Sequence, residues 1–305
     1  VSDVVVRAPA KINVHLGVGP LRADGFHALH TVYLAVSLHD TVTARPGEGL
    51  SLRMSGEGAD GPGLVPADRT NLVWRAAELL ARHAGVRADA DLEVAKSIPV
   101  AAGLAGGSAD AAATLVALDT LWGTRAGRED LLRLAADLGS DVPFGLVGGV
   151  ALGTGRGEQV SPVLAAGRWH WVLGIAGEGL STPAVYGELD RMRADGRVPD
   201  VTGPTPAEPV LAALRTGSTT ELAAALANDL QPAALALRPD LRRALRAAED
   251  AGARAALVSG SGPTVAALAA DEDSAVRLAA ELAGVGVFRT VRAVSGPVPG
   301  ARPVS

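Results

Sequence analysis

The chain has 305 residues, 48% hydrophobic and 20% charged, with a formal net charge of −5; that length predicts one to two domains with a full-sized core, and the acidic balance argues against a general nucleic-acid binder. No apolar run reaches the roughly 20 residues of a membrane span, and the opening VSDVVVRAPAK lacks the basic and apolar regions of a signal peptide. Zero cysteines excludes disulfides, thiolate metal sites and a cysteine nucleophile, so a cytoplasmic protein is expected.

Residue choice is skewed. Of 28 basic residues only Lys11 and Lys96 are lysine, and tyrosine occurs only at Tyr33 and Tyr186. A lysine kept in an arginine-rich chain points to a place that wants a compact point charge and not a planar fork.

Val4 to Arg7 is β-branched and reads as a strand. In the stretch after it, Pro9 favours an edge or a bulge. Lys11, Asn13 and His15 then share one face by the two-residue period, with Ile12, Val14 and Leu16 on the other. That polar face either lines a site or is simply solvated. Arg22-Ala-Asp-Gly25 signals a turn. Strands are expected at 29–36, 41–44 and 50–54, a glycine-rich connection at 56–66, and a helix from Thr70-Asn71-Leu72 to about His83 with an apolar stripe.

Residues 92–122 hold the most informative pattern. A strand-like run, Leu92 to Ala95, leads through Lys96 into Pro99-Val100-Ala101-Ala102-Gly103-Leu104-Ala105-Gly106-Gly107-Ser108-Ala109-Asp110, and an Ala/Leu/Val helix continues to about Trp122. The order is strand, glycine loop, helix start. Glycines let a ligand approach the backbone, and the first turn of a helix offers unpaired N–H groups and a positive dipole end that favour an anion. Phosphate is the natural candidate. The loop is neither a Walker A sequence, because Ser108 follows Gly107 where lysine is required, nor a GxGxxG turn. Taken alone it is equally a plain βα turn.

Beyond it, a helix at 128–138 ends at Gly139, and Ser140 or Asp141 either caps a short helix with Pro143 near its start or carries chemistry. The glycine-dense segment 148–155 closes the first half. The second half reads as a strand at 169–176, a helix from Ser181-Thr182-Pro183 to about Met192, and a surface loop at 195–209. Helices follow near 207–216, 218–227 and 239–251. A strand at 255–258, the turn Ser259-Gly260-Ser261-Gly262-Pro263-Thr264, a strand at 265–269, a helix at 273–283 and a strand at 287–293 complete an antiparallel α+β layer.

Pro9-Ala10-Lys11-Ile12-Asn13, the loop from Pro99 through Ala111, and Ser259 to Thr264 occur in this order and cover nearly the whole chain. Together they resemble the three motifs of the GHMP kinases, which include galactokinase, homoserine kinase and mevalonate kinase. Arg22 to His27, Asn71-Leu72, Gly139 to Pro143 and Gly153-Thr-Gly155 bring the chain nearest to the members that phosphorylate the 2-hydroxyl of a cytidine diphosphate-linked methylerythritol, in the non-mevalonate route to isoprenoid precursors. The alternatives are a member acting on another small alcohol, homoserine or mevalonate, and a non-catalytic ATP-binding member.

The resemblance implies an α+β fold of two domains, a mixed-sheet ATP domain over 1–160 and a ferredoxin-like α/β layer over 161–305, with the active site in the cleft. It implies that Asp141 is the general base and Lys11 its cationic neighbour. ATP lies on residues 99–109 and on Asn71, Leu72 and Lys96. Asn13, Phe26, His27, Tyr186, Gly260, Ser261 and Gly262 meet the acceptor; Tyr186 is equally an ordinary rim aromatic. Relatives often carry tyrosine at position 26 and glycine and serine where this chain has Ala105 and Ala109. With that second serine absent no protein metal ligand is assigned, though Ser108 remains a candidate, and Mg²⁺ is expected to arrive on ATP, held mostly by phosphates and water. The partner is a small molecule, not nucleic acid or membrane, and the chain is expected to be a monomer or weak homodimer.

Overall fold

The computed structural model describes residues 3–59, 64–177 and 179–304; the glycine-rich connection at 56–66 therefore lies partly outside the described residues. A long hairpin, β1 (Val4–Leu21) with β2 (His27–Arg45), carries the first half. It is followed by β3 (Leu50–Gly56), α1 (Leu72–Ala84), β4 (Ala90–Lys96), α2 (Gly106–Trp122), α3 (Arg128–Leu138), α4 (Val142–Val147), β5 (Val150–Thr154) and β6 (Gln159–Pro162). The second half runs β7 (Trp169–Ile175), α5 (Thr182–Ala194), α6 (Glu208–Thr216), α7 (Thr219–Ala225), β8 (Ala227–Asn228), α8 (Gln231–Leu237), α9 (Leu241–Asp250), β9 (Ala255–Val258), β10 (Thr264–Leu268), α10 (Glu272–Gly284), β11 (Thr290–Gly296) and β12 (Arg302–Pro303).

The first sheet has the order β12-β1-β2-β4-β3, with β5 and β6 continuing from β2 and β8 pairing β1. Strand β2 serves two neighbours. Its residues 31–34 pair with β5 and its residues 41–45 with β4. Between these stretches the register against β1 shifts at Pro9/Ala10, where Pro9 faces His39 and Ala10 faces Val36. The proline thus marks a bulge, as its missing donor requires. The sequence reads two strands at 29–36 and 41–44; the chain instead runs through the bulge as one.

Helix α2 packs against β1, β2, α1 and α4. Its alanines allow this close approach, and Ala111, Ala112, Ala113 and Ala117 are fully buried. A helix apolar on every side belongs in an interior, so the glycine loop that precedes α2 is anchored at the centre of the molecule.

The second sheet, β11-β7-β10-β9, is antiparallel throughout. In chain order its strands read fourth, first, third, second, the ferredoxin-like arrangement. Trp169, Trp171 and Leu173 of β7 bury in one cluster with Ile12 and Leu34 of the hairpin and Leu115 of α2, so a single core joins the two sheets. Each such side chain contributes about 1.5–3 kcal/mol when fully buried.

One expectation is corrected here. No element is expected between the helices near 218–227 and 239–251, yet a helix begins there at Gln231. Asn228 and Ala227 pair with β1, the Asn228 side chain accepts from the Leu230 amide, and α8 starts with Pro232 in its first turn. Proline near a helix start is favourable, and Pro232 fits that opening. The loop at 195–209 is also fastened down: His15 Nε2 lies 3.0 Å from the Thr205 carbonyl oxygen, and Asp229 accepts from both Thr205 Oγ1 and the Val18 amide at 2.8 Å.

Candidate active site

A cavity of about 880 Å³ opens between the hairpin, the glycine loop and α5, in the upper range of small-molecule sites. One end is the loop. The N-cap of α2 is Ala105, which sits at φ 57° and supplies no side-chain cap. The amides of the first turn, Gly106, Gly107 and Ser108, therefore have no side-chain acceptor, and these residues line the cavity. Ala101 at φ 52° and Ala105 hold left-handed backbone that costs non-glycine residues about 1–3 kcal/mol each. Gly103 has φ +76°, and a Cβ there would lie 2.6 Å from the Ser259 carbonyl oxygen. Gly103→Ala is therefore expected to destabilise the protein by about 1–3 kcal/mol in urea unfolding. Gly107→Ala, whose Cβ meets only Leu72 at 3.7 Å, should leave stability near the parent's.

The middle of the cavity holds Lys11. Its Nζ donates to Asn13 Oδ1 at 2.7 Å and to the Gly103 carbonyl at 3.1 Å, and lies 3.7 Å from Asp141 Oδ2. One ammonium thus touches the hairpin, the glycine loop and the carboxylate. Asn13 is oriented by donating to Thr31 Oγ1 at 2.7 Å. The polar face Lys11-Asn13-His15 is buried throughout, which removes the solvated reading. A register shift between Asn13 and His15 sends His15 to Thr205, away from the cavity.

Asp141 occupies the N-cap of α4, but its side chain caps nothing. It is 32% exposed and accepts the Tyr33 hydroxyl on Oδ1 at 3.0 Å. The capping alternative is thus not the one adopted. From the second half, Gly260 approaches Asn13 and Lys11, Ser261 bonds Thr182 at 2.9 Å, and the Asn13 amide donates to Ser259 Oγ at 3.4 Å.

The other end is aromatic. Buried His27 meets Asp190 Oδ1 through Nε2 at 2.9 Å, so that nitrogen carries the proton. Its ring centroid is 5.0 Å from that of Tyr186. Burial, with the Asp141 charge second, raises the Tyr186 phenol above its ordinary value. Phe26 is 47% exposed at the rim, with the Arg156 guanidinium carbon 4.7 Å from its ring centroid.

Most of the residues expected at the site share this one wall. Leu104, Ala109 and Gly262 do not line it; Leu104 and Ala109 are core side chains, and Gly262 backs onto Val258. Asn71 and Leu72 line the cavity, but the Asn71 amide is largely engaged: its oxygen accepts from the Val73 amide and its nitrogen donates to the Pro66 carbonyl. Lys96 is buried between Asp40 and Asp110, 2.5 Å from an oxygen of each. Tyr33, Asp40, Arg156 and Asp190 also stand at the site or beneath it, and none of them is among the residues expected there. Tyrosine scarcity was a usable signal for Tyr33; the others carry none. Among the described residues no group of three or more His, Cys, Asp or Glu is placed to hold a metal ion, and no helix is long and apolar enough to cross a membrane.

A helix-start anion cradle, a lysine–carboxylate pair beside it and an aromatic subsite beyond describe a phosphotransferase cleft. Residues 71–149 match the GHMP kinases N terminal domain and residues 210–287 the GHMP kinases C terminal domain. The chain belongs to the GHMP kinase family and has its two-domain fold. It is 59% identical over 299 residues to the 4-diphosphocytidyl-2-C-methyl-D-erythritol kinase of Rhodococcus jostii (strain RHA1), covering 98% of this chain and 94% of that one. It is 58% identical over 305 residues to the enzyme of the same name from Mycolicibacterium smegmatis (strain ATCC 700084 / mc(2)155), covering 99% and 93%. A crystal structure of 4-(cytidine 5'-diphospho)-2C-methyl-D-erythritol kinase superposes with a TM-score of 0.75 at 34% identity, covering 96% of this chain and 98% of that one.

Proposed function

We propose that this chain transfers the γ-phosphoryl group of ATP to the 2-hydroxyl of 4-diphosphocytidyl-2-C-methyl-D-erythritol, in the non-mevalonate route to isoprenoid precursors. The observation that carries the reading is Lys11, whose ammonium contacts the glycine loop through Gly103 and the Asp141 carboxylate from the other side. Phosphoryl transfer needs little covalent help from a protein; it needs positioning and charge neutralisation. In this reading the acceptor hydroxyl gives its proton to Asp141 as its oxygen bonds the γ-phosphorus. The bond from that phosphorus to the β-phosphate oxygen breaks, and ADP leaves. Lys11 offsets the charge on the transferring group.

The amides of residues 106–108 take the phosphates, with Leu72 and Asn71 toward the base. The Asn71 amide donates to Pro66 and to Met54 Sδ, so it would have to give up one of these bonds to read the base, and Lys96 supports the loop from beneath. His27, Phe26 and Tyr186 take the cytidine, and Asn13, Gly260 and Ser261 the rest of the acceptor. The residues near the loop suit a Mg²⁺ ion that arrives on ATP. Asp110 is tied to Lys96, and Ser108 at the start of α2 lines the cavity beside the loop. When bound, the ion neutralises phosphate charge. We place the reaction in the cytoplasm and divide the chain near residue 160.

The test is ADP release by the purified protein with MgATP and three acceptors: the cytidine diphosphate compound, homoserine and mevalonate. Turnover is expected with the first alone. Preferential turnover of homoserine or mevalonate overturns the acceptor assignment, and none with any acceptor overturns catalysis.

A further inference from the structure

We infer that Tyr33 is a positioning residue for phosphoryl transfer: its hydroxyl fixes Oδ1 of Asp141 so that Oδ2 faces Lys11 and the acceptor. This rests on the reading of Asp141 as the base.

The tyrosine is locked in place from several sides. Its backbone lies where β2 pairs with β1 on one side, through Asn13, and with β5 on the other, through Ala151. Its ring is buried, with its centroid 4.9 Å from that of Phe144 in a stacked pair. Lys11 Nζ lies 5.9 Å from the ring centroid, at the outer limit of a cation–π contact. The hydroxyl lies 3.0 Å from Asp141 Oδ1 and 3.4 Å from the Gly157 carbonyl. The glycine-dense segment at the end of β5 and after it is shaped around the ring. A Cβ at Gly153 would lie 2.6 Å from the Tyr33 ring, and one at Gly157, where φ is +102°, would strike the hydroxyl itself.

A phenol this constrained has one useful property here: it can give Asp141 a hydrogen bond without taking its proton. Burial is the main cause holding the Tyr33 phenol well above its ordinary range, and the Asp141 charge adds to it. The hydroxyl is therefore a donor at every working pH. An unanchored carboxylate rotates and presents either oxygen to the acceptor; with Oδ1 held, one oxygen remains for the proton. The charged and titratable groups facing the pair are Lys11 from β1, Tyr186 from α5 and Glu158 from the β5–β6 turn.

Tyr33→Phe keeps the ring and the stack and removes only the hydroxyl. It is expected to lower kcat by about 10–100-fold, the loss of one hydrogen bond to a charged group. KM for ATP and for the acceptor should stay within about three-fold, so the loss falls on kcat alone. The deciding measurement repeats Tyr33→Phe in the Asp141→Asn background. A residue acting through Asp141 adds almost nothing there, whereas an independent structural contribution lowers the residual rate again by the same factor. A kcat for Tyr33→Phe within about two-fold of the parent, or additive losses in the double variant, overturns the inference. Failure of the base assignment reads differently: Asp141→Asn alone would keep the parent kcat.

Discussion

Asp141→Asn is expected to lower kcat by about 10²–10⁴-fold, the contribution of a positioned general base, with ATP affinity and thermal stability near the parent's. The geometry separates these quantities. A carboxylate at a helix N-cap ordinarily caps the first turn, and losing the cap costs about 0.5–2 kcal/mol. Asp141 makes no such bond, so its removal leaves α4 as stable as before. Asparagine retains the carbonyl oxygen that accepts from Tyr33, and the ring stack on Phe144 is untouched. What disappears is an oxygen able to take a proton 3.7 Å from the Lys11 ammonium. A fall in kcat at constant nucleotide Kd is the mark of an interaction made in the transition state and not in the ground state. Isothermal titration with ADP and a thermal melt give the two controls; unchanged kcat in a folded, nucleotide-binding variant removes Asp141 from its role.

Local pattern carried the sequence analysis far at some positions and not at others. The glycine loop was legible because strand, glycines and helix start are contiguous and their spacing alone exposes backbone amides. Lys11 and Asn13 were legible from the two-residue period of a strand. The same period placed His15 beside them, and it failed there because a register shift follows Asn13. A bulge is invisible to a count of alternating residues. For Tyr33 the scarcity of tyrosine was the one signal, and it says nothing of the role, because its partners are Asp141 and Gly157, 108 and 124 residues away. Helix α8 is not legible from Pro232 alone, since proline is as favourable in a first turn as it is unfavourable later. Within the second sheet the β9–β10 pair was legible as antiparallel, since two short strands joined by the tight turn at 259–263 permit little else.

Lysine scarcity drew notice to Lys96, but its partners lie 56 and 14 residues away, a separation that no periodicity displays. Lys96→Met is expected to cost about 3–5 kcal/mol in urea unfolding at neutral pH, the penalty for breaking a buried ion pair from one side. Lys96 Nζ sits between Asp40 and Asp110, with all three side chains at most 4% exposed. Asp40 spends its other oxygen on the amides of Ser97 and Ile98, at 2.6 and 2.8 Å, which fixes the turn that leads into the glycine loop. Asp110 Oδ1 has no partner. Burial is the largest cause pushing the Asp110 carboxyl up, to about 8; Lys96 opposes it and Asp40 adds to it. Burial thus favours a proton on Asp110 at neutral pH, against the pull of the Lys96 charge.

That proton fixes the sign of the pH dependence. The unfolded chain releases it near pH 4, while the native chain keeps it to about 8. Over that interval the native state binds one proton more, so stability declines as pH rises from about 4 to about 8 and this contribution is flat above. Asp110→Asn should remove that component, giving a shallower slope of unfolding free energy against pH than the parent's. Equal slopes would show that Asp110 is ionised in the native state. Adding Asp40→Asn to Lys96→Met should restore part of the lost stability, because the anion left unpaired is removed with its partner. Both Lys96→Met and Asp40→Asn should also raise KM for ATP, since the cluster supports Gly106 at the start of α2. A KM raised by Lys96→Met but not by Asp40→Asn would instead assign Lys96 to direct contact with the nucleotide.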